Sequence, residues 1–228
     1  IYLTASGGPF AKLPLNKFKQ IKIKEALKHP NWKMGKKISI DSATMINKIY
    51  EVIEAKNIFK INYENIKILL HSNSYLHAIL KFKNGLIKLI AHDTTMKIPI
   101  FNTLYFDKNK KISSKNLKLK ILNNLKLKKP DIKRYPMIKL LKLLPSKPSL
   151  YETVIVSAND CLVELFLKEK IGFLNIQEEL FKILRSKEFI SYKNKVPNNV
   201  DDIINLNNYV RLKLLKKVYK VADVKKAF

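Results

Sequence analysis

The sequence predicts an α+β domain with a mixed sheet and helices, followed by an all-α helical bundle. The sheet is indicated by alternating apolar runs on both sides of Asn84-Gly85, a strong signal for a short β-hairpin. The bundle is indicated by apolar residues at three- and four-residue spacing from about residue 132 onward. We therefore expect a first domain at residues 1–105, a lysine-rich connector at 106–131 and a helical domain at 132–228.

Two early elements lead into the predicted sheet. Residues 1–4 are predicted to form a short strand, and Gly7-Gly8 a tight turn, because glycine tolerates positive φ. The chain has only five glycines, so this pair indicates unusual backbone demands at the turn. Residues 16–28 are predicted to form a lysine-rich helix that Pro30 ends.

A longer helix is predicted after a loop centred on Gly35. Residues 37–40 are expected to be extended, and Asp41 or Ser42 to cap a helix that runs to about Phe59. Successive residues of a helix are rotated by about 100°, so this helix would have two faces. The apolar face would pack on the core and comprises Met45, Ile46, Ile49, Val52 and Ile53. The polar face comprises Thr44, Asn47, Lys48 and Glu51.

The formal net charge of +27 raises the question of a polyanionic partner. Only three of the 45 basic residues are arginines, whereas nucleic-acid readers usually rely on arginine. Lysine, asparagine and isoleucine are all abundant, as A/T-rich codons would produce, and the lysines are dispersed. We therefore expect no specific nucleic-acid partner. A basic module that binds RNA or anionic lipid is the alternative.

The remaining composition bears on the cellular compartment. The single cysteine, Cys161, cannot form an internal disulfide and fits a reducing cytosol. No apolar run approaches the roughly 20 residues of a membrane span, so we expect no membrane partner. The chain begins at Ile1 and its first methionine is Met34, so we expect it to be a piece of a longer protein.

Three features could carry chemistry. The "SGG" segment at residues 6–8 offers N–H groups and a hydroxyl to a phosphate, although an ordinary turn explains it as well. A helix that begins near Ser42 would be an anion site, to which Lys48 adds positive charge. Glu51 could bind Mg²⁺ or Mn²⁺, and an exposed ion pair with Lys48 is the alternative.

The segment "HPNWKMG", residues 29–35, could form a lid. It contains two large apolar side chains, Trp32 and Met34, between helix breakers. Lids over small substrates combine apolar cover with a hinge, for which Gly35 is suited. The spacing alone leaves core packing and a lid equally open.

The segments "LTASGGPF", "ALKHPNWKMGKKISIDSATMINK" and "EVIEAKNIF" closely resemble 1-deoxy-D-xylulose 5-phosphate reductoisomerases. The resemblance is strongest over residues 3–60 and continues weakly into the helical tail. It implies conversion of 1-deoxy-D-xylulose 5-phosphate to 2-C-methyl-D-erythritol 4-phosphate with NADPH and a divalent metal, in non-mevalonate isoprenoid biosynthesis. The first domain of this chain would be the central catalytic domain of such an enzyme.

The resemblance also implies roles for the residues that match the family's motifs. The substrate phosphate would be held by Ser6, Ser42, Asn47 and Lys48. His29 would be a catalytic residue that contacts the substrate near the reacting carbons. Trp32 would close over the substrate.

The cofactor and metal contacts are implied in the same way. Gly35 and Met34 would contact NADPH. Glu51 would be a catalytic residue that binds Mg²⁺ or Mn²⁺ and contacts the substrate. Ser74 and His77 would lie near the site without contacting the substrate.

The resemblance has limits that set further expectations. The family's NADPH-binding domain and an Asp-Ser-Glu segment with two more metal ligands would precede Ile1, so we expect residues 1–228 alone to be inactive. The family's motifs are altered at residues 71–74, 94–97 and 160. The family further implies a homodimer in a bacterial cytoplasm rather than a plastid. An inactive truncated copy is a third alternative.

Overall fold

The computed structural model describes residues 1–32, 34–105 and 110–225, with side chains up to residue 219. A four-stranded mixed sheet and its helices form the first part of the chain. Long α-helices form the part from residue 150 onward. The predicted fold class, an α+β part followed by a helical bundle, is therefore confirmed.

The sheet has the strand order β2-β1-β3-β4. Its strands are β1 (Tyr2–Ala5), β2 (Lys67–Leu70), β3 (Leu76–Lys81) and β4 (Ile87–Ala91). β1 pairs in parallel with β2 and antiparallel with β3, and β4 pairs antiparallel with β3 at the sheet edge. The hairpin predicted at Asn84-Gly85 connects β3 and β4, and Gly85 has the positive φ that such turns need.

Three helices connect β1 to its parallel neighbour β2, as a parallel pair requires a long crossover. They are α1 (Ile23–Ala26), α2 (Lys36–Thr44) and α3 (Ile46–Phe59). The apolar face predicted for the last of these is largely correct. Ile46, Ile49 and Val52 are fully buried, whereas Ile53 is only partly buried.

The predicted single helix from Asp41 to Phe59 is wrong at its start, because two helices meet at Met45. Met45 is buried with a left-handed φ of 70°, and it ends α2 and begins α3. The segment predicted to be extended lies inside α2, which begins after Gly35. Asp41 and Ser42 therefore lie in the last turn of α2, not at a helix N-terminus. Packing of Met45 imposes this break, since no glycine or proline marks it.

The helix predicted at residues 16–28 is also interrupted. It consists of a 3₁₀ turn, Leu15–Gln20, and the short α1. Ile21 lies between them with a non-helical backbone, at φ −59° and ψ 122°, and is buried in the core. Burial of this side chain therefore overrides the helical pattern.

The predicted connector contains little regular structure where it is described. Helix α4 (Lys97–Leu104) precedes it, and α5 (Leu119–Leu122) is its short helix. One bridge between Leu70 and Lys128 is all that corresponds to the expected edge strand in the described residues. Residues 106–109 lie outside the part of the chain that the structure describes.

In the helical part, the other helices pack against α6 (Leu150–Leu167), most of whose residues are buried. These other helices are α7 (Phe173–Leu184), α8 (Lys187–Ile190) and α9 (Val200–Lys225). Ser149 caps α6 by accepting a hydrogen bond from the Tyr151 N–H at 3.1 Å. None of the helices in the described ranges is long and apolar enough to cross a membrane.

The two parts share one hydrophobic core. Phe173 of α7 lies 5.2 Å from Phe10 and 6.4 Å from Phe18, measured between ring centroids. Both partners belong to the segment that follows the Gly7-Gly8 turn. The helical part therefore supports the loop that leads out of β1, a contact that positions the site described next.

Candidate active site

A cavity of about 650 Å³ opens beside the end of β1, the turn that follows it and helices α2 and α3. Its lining includes every residue that the sequence assigned to the site: Ser6, His29, Trp32, Met34, Gly35, Ser42, Asn47, Lys48 and Glu51. Ser74 and His77, which were expected nearby, also line it. Segments that are far apart in the sequence thus meet at one cavity.

The turn after β1 approaches α2 more closely than any residue except glycine would allow. Gly7 and Gly8 have φ values of 88° and 66°. A Cβ atom on Gly8 would lie 3.0 Å from the carbonyl oxygen of Ser42 and 3.2 Å from the Cα atom of Ala43. The two glycines therefore bring Ser6 and Ser42 to the same wall of the cavity.

The imidazole of His29 has hydrogen-bond partners on both nitrogens. Nδ1 accepts from the backbone N–H groups of Asn31 and Trp32 at 3.2 and 2.9 Å. Nε2 lies 3.1 Å from the Oγ atom of Ser6. A neutral imidazole has one donor and one acceptor nitrogen, so Nε2 carries the hydrogen and donates to Ser6. Burial lowers the pKa of His29, which favours this neutral form.

The hydroxyl of Ser6 is left as a donor. Its Oγ atom accepts from Nε2–H of His29 and from the Gly8 N–H at 3.1 Å, which uses both lone pairs. No acceptor within residues 1–32, 34–105 or 110–225 receives its hydrogen. Ser6 can therefore donate a hydrogen bond to a ligand in the cavity, and a phosphate oxygen is a suitable acceptor.

The helix N-terminus at the cavity is that of α3, and no helix begins at Asp41 or Ser42 as the anion-site prediction assumed. Asn47 and Lys48 lie in the first turn of α3 and line the cavity. The positive end of the helix dipole and the Lys48 ammonium group both favour an anion there. Ser42 reaches the same cavity from the last turn of α2.

Glu51 is engaged by its own helix. Asn47 Nδ2 donates to Glu51 Oε1 at 2.9 Å, and Lys48 Nζ donates to Glu51 Oε2 at 2.5 Å. These two pairs use both carboxylate oxygens; the ion pair of the alternative is therefore present, but the Lys48 side chain is only 13% exposed. The described ranges contain no group of three or more His, Cys, Asp or Glu residues that could hold a metal ion. Glu51 alone does not fit a magnesium site, since a hard cation takes about six oxygen ligands.

The predicted lid segment borders the cavity and is anchored at its base. Asn31 Nδ2 donates to the Ser72 carbonyl at 2.7 Å and to Ser74 Oγ at 2.8 Å. Trp32 lines the cavity and packs edge-on against His77, with ring centroids 6.5 Å apart. Trp32 does not belong to the hydrophobic core cluster, which favours the lid over core packing.

One detail of the lid segment, the backbone of Gly35, differs from its sequence interpretation. Gly35 has an ordinary φ of −63°, and a Cβ atom there would meet nothing within 4 Å. Its conformation in this structure therefore does not require glycine. Lys33 lies outside the described residues.

His92 is a site residue that the sequence interpretation missed. Its ring stacks on His77 with a centroid distance of 3.7 Å and an interplanar angle of 15°. Burial, and secondarily the neighbouring His92, lower the pKa of His77 to about 4. His92 directly follows β4. A polar residue at the end of a predicted strand was the sequence signal that could have identified it.

An ionic cluster, in which Asp41 is buried and Lys37 is partly exposed, ties α2 to α6. Lys37 Nζ lies 2.9 Å from both Asp41 Oδ2 and Asp160 Oδ1, and Asn159 Nδ2 donates to Asp41 Oδ1 at 2.8 Å. Burial raises the pKa of Asp41, although Lys37 and Asn159 oppose this shift. The cluster joins residues 118 positions apart, so the sequence interpretation assigned Asp41 only a capping role.

Two protein-family models match this chain. One describes the C-terminal domain of 1-deoxy-D-xylulose 5-phosphate reductoisomerase and matches residues 1–59. The other describes the DXP reductoisomerase C-terminal domain and matches residues 93–213. The second match alone covers more than half of the chain.

Curated relatives carry the same description. The 1-deoxy-D-xylulose 5-phosphate reductoisomerase of Pelagibacter ubique is 59% identical over 214 residues, which are 94% of this chain and 55% of the relative. That of Chloroherpeton thalassium is 38% identical over 223 residues, which are 98% of this chain and 55% of the relative. The chain spans about half the length of the curated relatives it matches.

Solved structures agree with this assignment. A DOX-P reductoisomerase in complex with NADPH, fosmidomycin and magnesium matches with a TM-score of 0.88 and 30% identity, over 97% of this chain and 55% of that one. The 1-deoxy-D-xylulose 5-phosphate reductoisomerase from Zymomonas mobilis, in complex with NADPH, matches with a TM-score of 0.81 and 32% identity, over 95% and 55%. The chain therefore belongs to the 1-deoxy-D-xylulose 5-phosphate reductoisomerase family.

Proposed function

We propose that this chain supplies the substrate-binding part of a 1-deoxy-D-xylulose 5-phosphate reductoisomerase. The enzyme would form 2-C-methyl-D-erythritol 4-phosphate with NADPH and Mg²⁺ or Mn²⁺. One observation carries the proposal: all nine residues that the resemblance assigned to substrate, cofactor or metal line a single cavity. A volume of about 650 Å³ suits a small phosphorylated sugar and part of a cofactor.

The substrate phosphate would bind where the turn after β1 faces the start of α3. Ser6 offers its hydroxyl hydrogen, and Ser42 reaches the same region from α2. Asn47 and Lys48 add an amide donor and an ammonium group in the first turn of α3. Anchoring the phosphate away from the reacting carbons would orient the substrate, which is how remote binding energy assists catalysis.

The reacting carbons would lie beside His29 and under Trp32, which both line the cavity. His29 is held in place through both ring nitrogens, so its position is defined before the substrate arrives. Because burial keeps this imidazole neutral near pH 7, Lys48 carries the positive charge that the phosphate meets. Trp32 would cover the substrate and exclude water.

The metal and the cofactor would bind in the same cavity as the substrate. We propose that Glu51 supplies one carboxylate ligand and that the other ligands come from outside residues 1–228. Gly35 and Met34 line the cavity where they would contact NADPH. When bound, these groups supply hydride and polarisation of the substrate oxygens. The chain alone should therefore bind Mg²⁺ weakly and turn over no substrate.

A chimera tests the proposal. The part of the Pelagibacter ubique relative that precedes its match to this chain is joined to Ile1, since the two proteins are 59% identical over the matched region. We expect this chimera to oxidise NADPH in the presence of 1-deoxy-D-xylulose 5-phosphate and Mg²⁺, and residues 1–228 alone to show no turnover. Glu51→Gln in the chimera should abolish activity, whereas Glu54→Gln, an exposed change one turn further along the helix, should not.

Two outcomes would reject the proposal. A chimera that folds but is inactive would favour the alternative that the chain is an inactive truncated copy. Salt-sensitive binding of the chain to unrelated RNA, with no competition by 1-deoxy-D-xylulose 5-phosphate, would favour the basic binding module.

We further propose that the protein is a homodimer in a bacterial cytoplasm. The edge strand β4 is exposed along its whole length and presents Ile87, Leu89 and Ile90. An exposed apolar edge strand is an aggregation hazard unless a partner covers it, and a second copy is such a partner. Leu89→Lys should shift the molar mass measured by light scattering from dimer to monomer, and a monomeric wild-type protein would refute the dimer.

A further inference from the structure

Arg134 and Tyr135 reach the turn after β1 from a part of the chain more than 120 residues away. Tyr135 Oη donates to the Gly7 carbonyl at 2.9 Å, and this tyrosine is 1% exposed. Arg134 NH1 donates to the carbonyls of Phe10 and Leu13 at 2.7 and 2.6 Å. Three carbonyls of the turn and its exit, those of Gly7, Phe10 and Leu13, are therefore held from the same short segment.

The bond from Tyr135 fixes a particular peptide plane. The Gly7 carbonyl and the Gly8 N–H belong to one peptide group, and peptide groups are planar. Tyr135 holds the oxygen of this group, while its N–H donates to Ser6 Oγ at 3.1 Å. A Cβ atom on Gly7 would lie 2.9 Å from the Tyr135 hydroxyl, so the contact is as close as the backbone permits.

A continuous hydrogen-bonded path follows from this plane to the lid segment. It runs from Tyr135 through the Gly7–Gly8 peptide to Ser6, and from Ser6 to His29. His29 in turn accepts from the backbone of the lid segment at Trp32. Polar groups linked in such a chain restrict one another's orientation.

We propose that Arg134 and Tyr135 are positioning residues that hold the Ser6 hydroxyl and the His29 imidazole for an anionic ligand. The part that concerns the ligand rests on the proposed function. Neither residue lines the cavity, so both act only through the turn. Without Tyr135 Oη, the Gly7 carbonyl is left buried without its partner, and the peptide plane rotates to recover one.

The test compares Tyr135→Phe with a matched control, Tyr151→Phe. Tyr151 is also fully buried and also donates to a backbone carbonyl, that of Leu184 at 2.8 Å, but it lies in the helical part. Both changes remove one buried hydroxyl and keep the ring. They should therefore cost similar stability, while only the change at Tyr135 should alter the site.

Two readouts on the 228-residue chain separate the variants. The first is the ¹⁵N NMR signal of His29 Nε2, which reports its bond to Ser6. The second is titration with inorganic phosphate, followed at the Gly8 amide. We expect Tyr135→Phe to shift the His29 signal and to weaken phosphate binding roughly tenfold. Tyr151→Phe should leave both readouts at their wild-type values.

The proposal is overturned if Tyr135→Phe leaves the His29 signal unchanged, or if Tyr151→Phe shifts it equally. If Tyr135→Phe does not fold, Arg134→Lys replaces it in the test. This variant keeps the positive charge but loses the two hydrogen bonds from the guanidinium group to the carbonyls of Phe10 and Leu13, and the proposal requires that it shift the His29 signal. A wild-type chain that binds no phosphate would contradict the proposed function, and the His29 signal would still decide whether Tyr135 positions the turn.

Discussion

Replacing Gly8 by alanine tests the close approach between the turn and α2. At a φ of 66°, a residue with a Cβ atom costs about 1–2 kcal/mol relative to glycine. The new methyl group would also lie 3.0 Å from the Ser42 carbonyl oxygen, within the last turn of α2. Overpacking of this kind costs about 1–3 kcal/mol more, because backbone atoms must move. We therefore expect the free energy of unfolding to fall by about 2–5 kcal/mol.

Gly85→Ala is the matched control for this prediction. Gly85 has a similarly positive φ of 87°, but a Cβ atom there would meet nothing within 4 Å. Its replacement should cost only the conformational part, about 1–2 kcal/mol. Urea denaturation of both variants measures the difference. Equal losses at the two positions would refute the argument that α2 packs directly on the turn.

Two other predictions concern charged groups. The imidazole of His77 should titrate by NMR with a pKa of about 4. Because this pKa lies below the unfolded value of 6.5, the protein should lose stability as the pH falls from 6.5 to 4. A titration midpoint near pH 6.5 would contradict the burial inferred for this ring. Lys37→Met should lower the free energy of unfolding by about 1–3 kcal/mol at pH 7, since Asp41 loses its cation. Because burial raises the pKa of Asp41, the stability lost in Lys37→Met should become smaller once acid protonates this carboxyl. An equal loss of stability at pH 7 and pH 4 would exclude a role for the charge of Asp41.

Local signals were sufficient for part of the fold. Asn84-Gly85 predicted the β3–β4 hairpin because this dipeptide favours the positive φ that such turns require. Gly7-Gly8 predicted the turn for the same reason. In each case, the conformational preference of one or two residues decides the structure.

Features set by distant packing could not be predicted in this way. The break at Met45 depends on burial of a residue that has no preference for a left-handed φ. The contacts of Tyr135 with Gly7 and of Asn159 with Asp41 join segments more than 100 residues apart. Neither periodicity nor spacing carries information about such pairs.

The candidate site was predicted from a resemblance rather than from periodicity. Matching motifs indicated nine residues, and the structure brings them to one cavity: Ser6, His29, Trp32, Met34, Gly35, Ser42, Asn47, Lys48 and Glu51. The physical interpretation of Ser42 as a helix cap was wrong, although its place in the cavity was anticipated. The roles assigned to these residues stay predictions, which measurements of ligand binding test.

Binding of 1-deoxy-D-xylulose 5-phosphate to the 228-residue chain tests the central claim most directly. Calorimetric titration should show one site, and Lys48→Met should weaken binding at least tenfold, because the charge-assisted hydrogen bond proposed between Lys48 and the phosphate is lost. Lys83→Met removes the same charge from an exposed turn and should leave the affinity unchanged. Equal weakening by both variants would show that the net charge, and not the cavity, attracts the ligand.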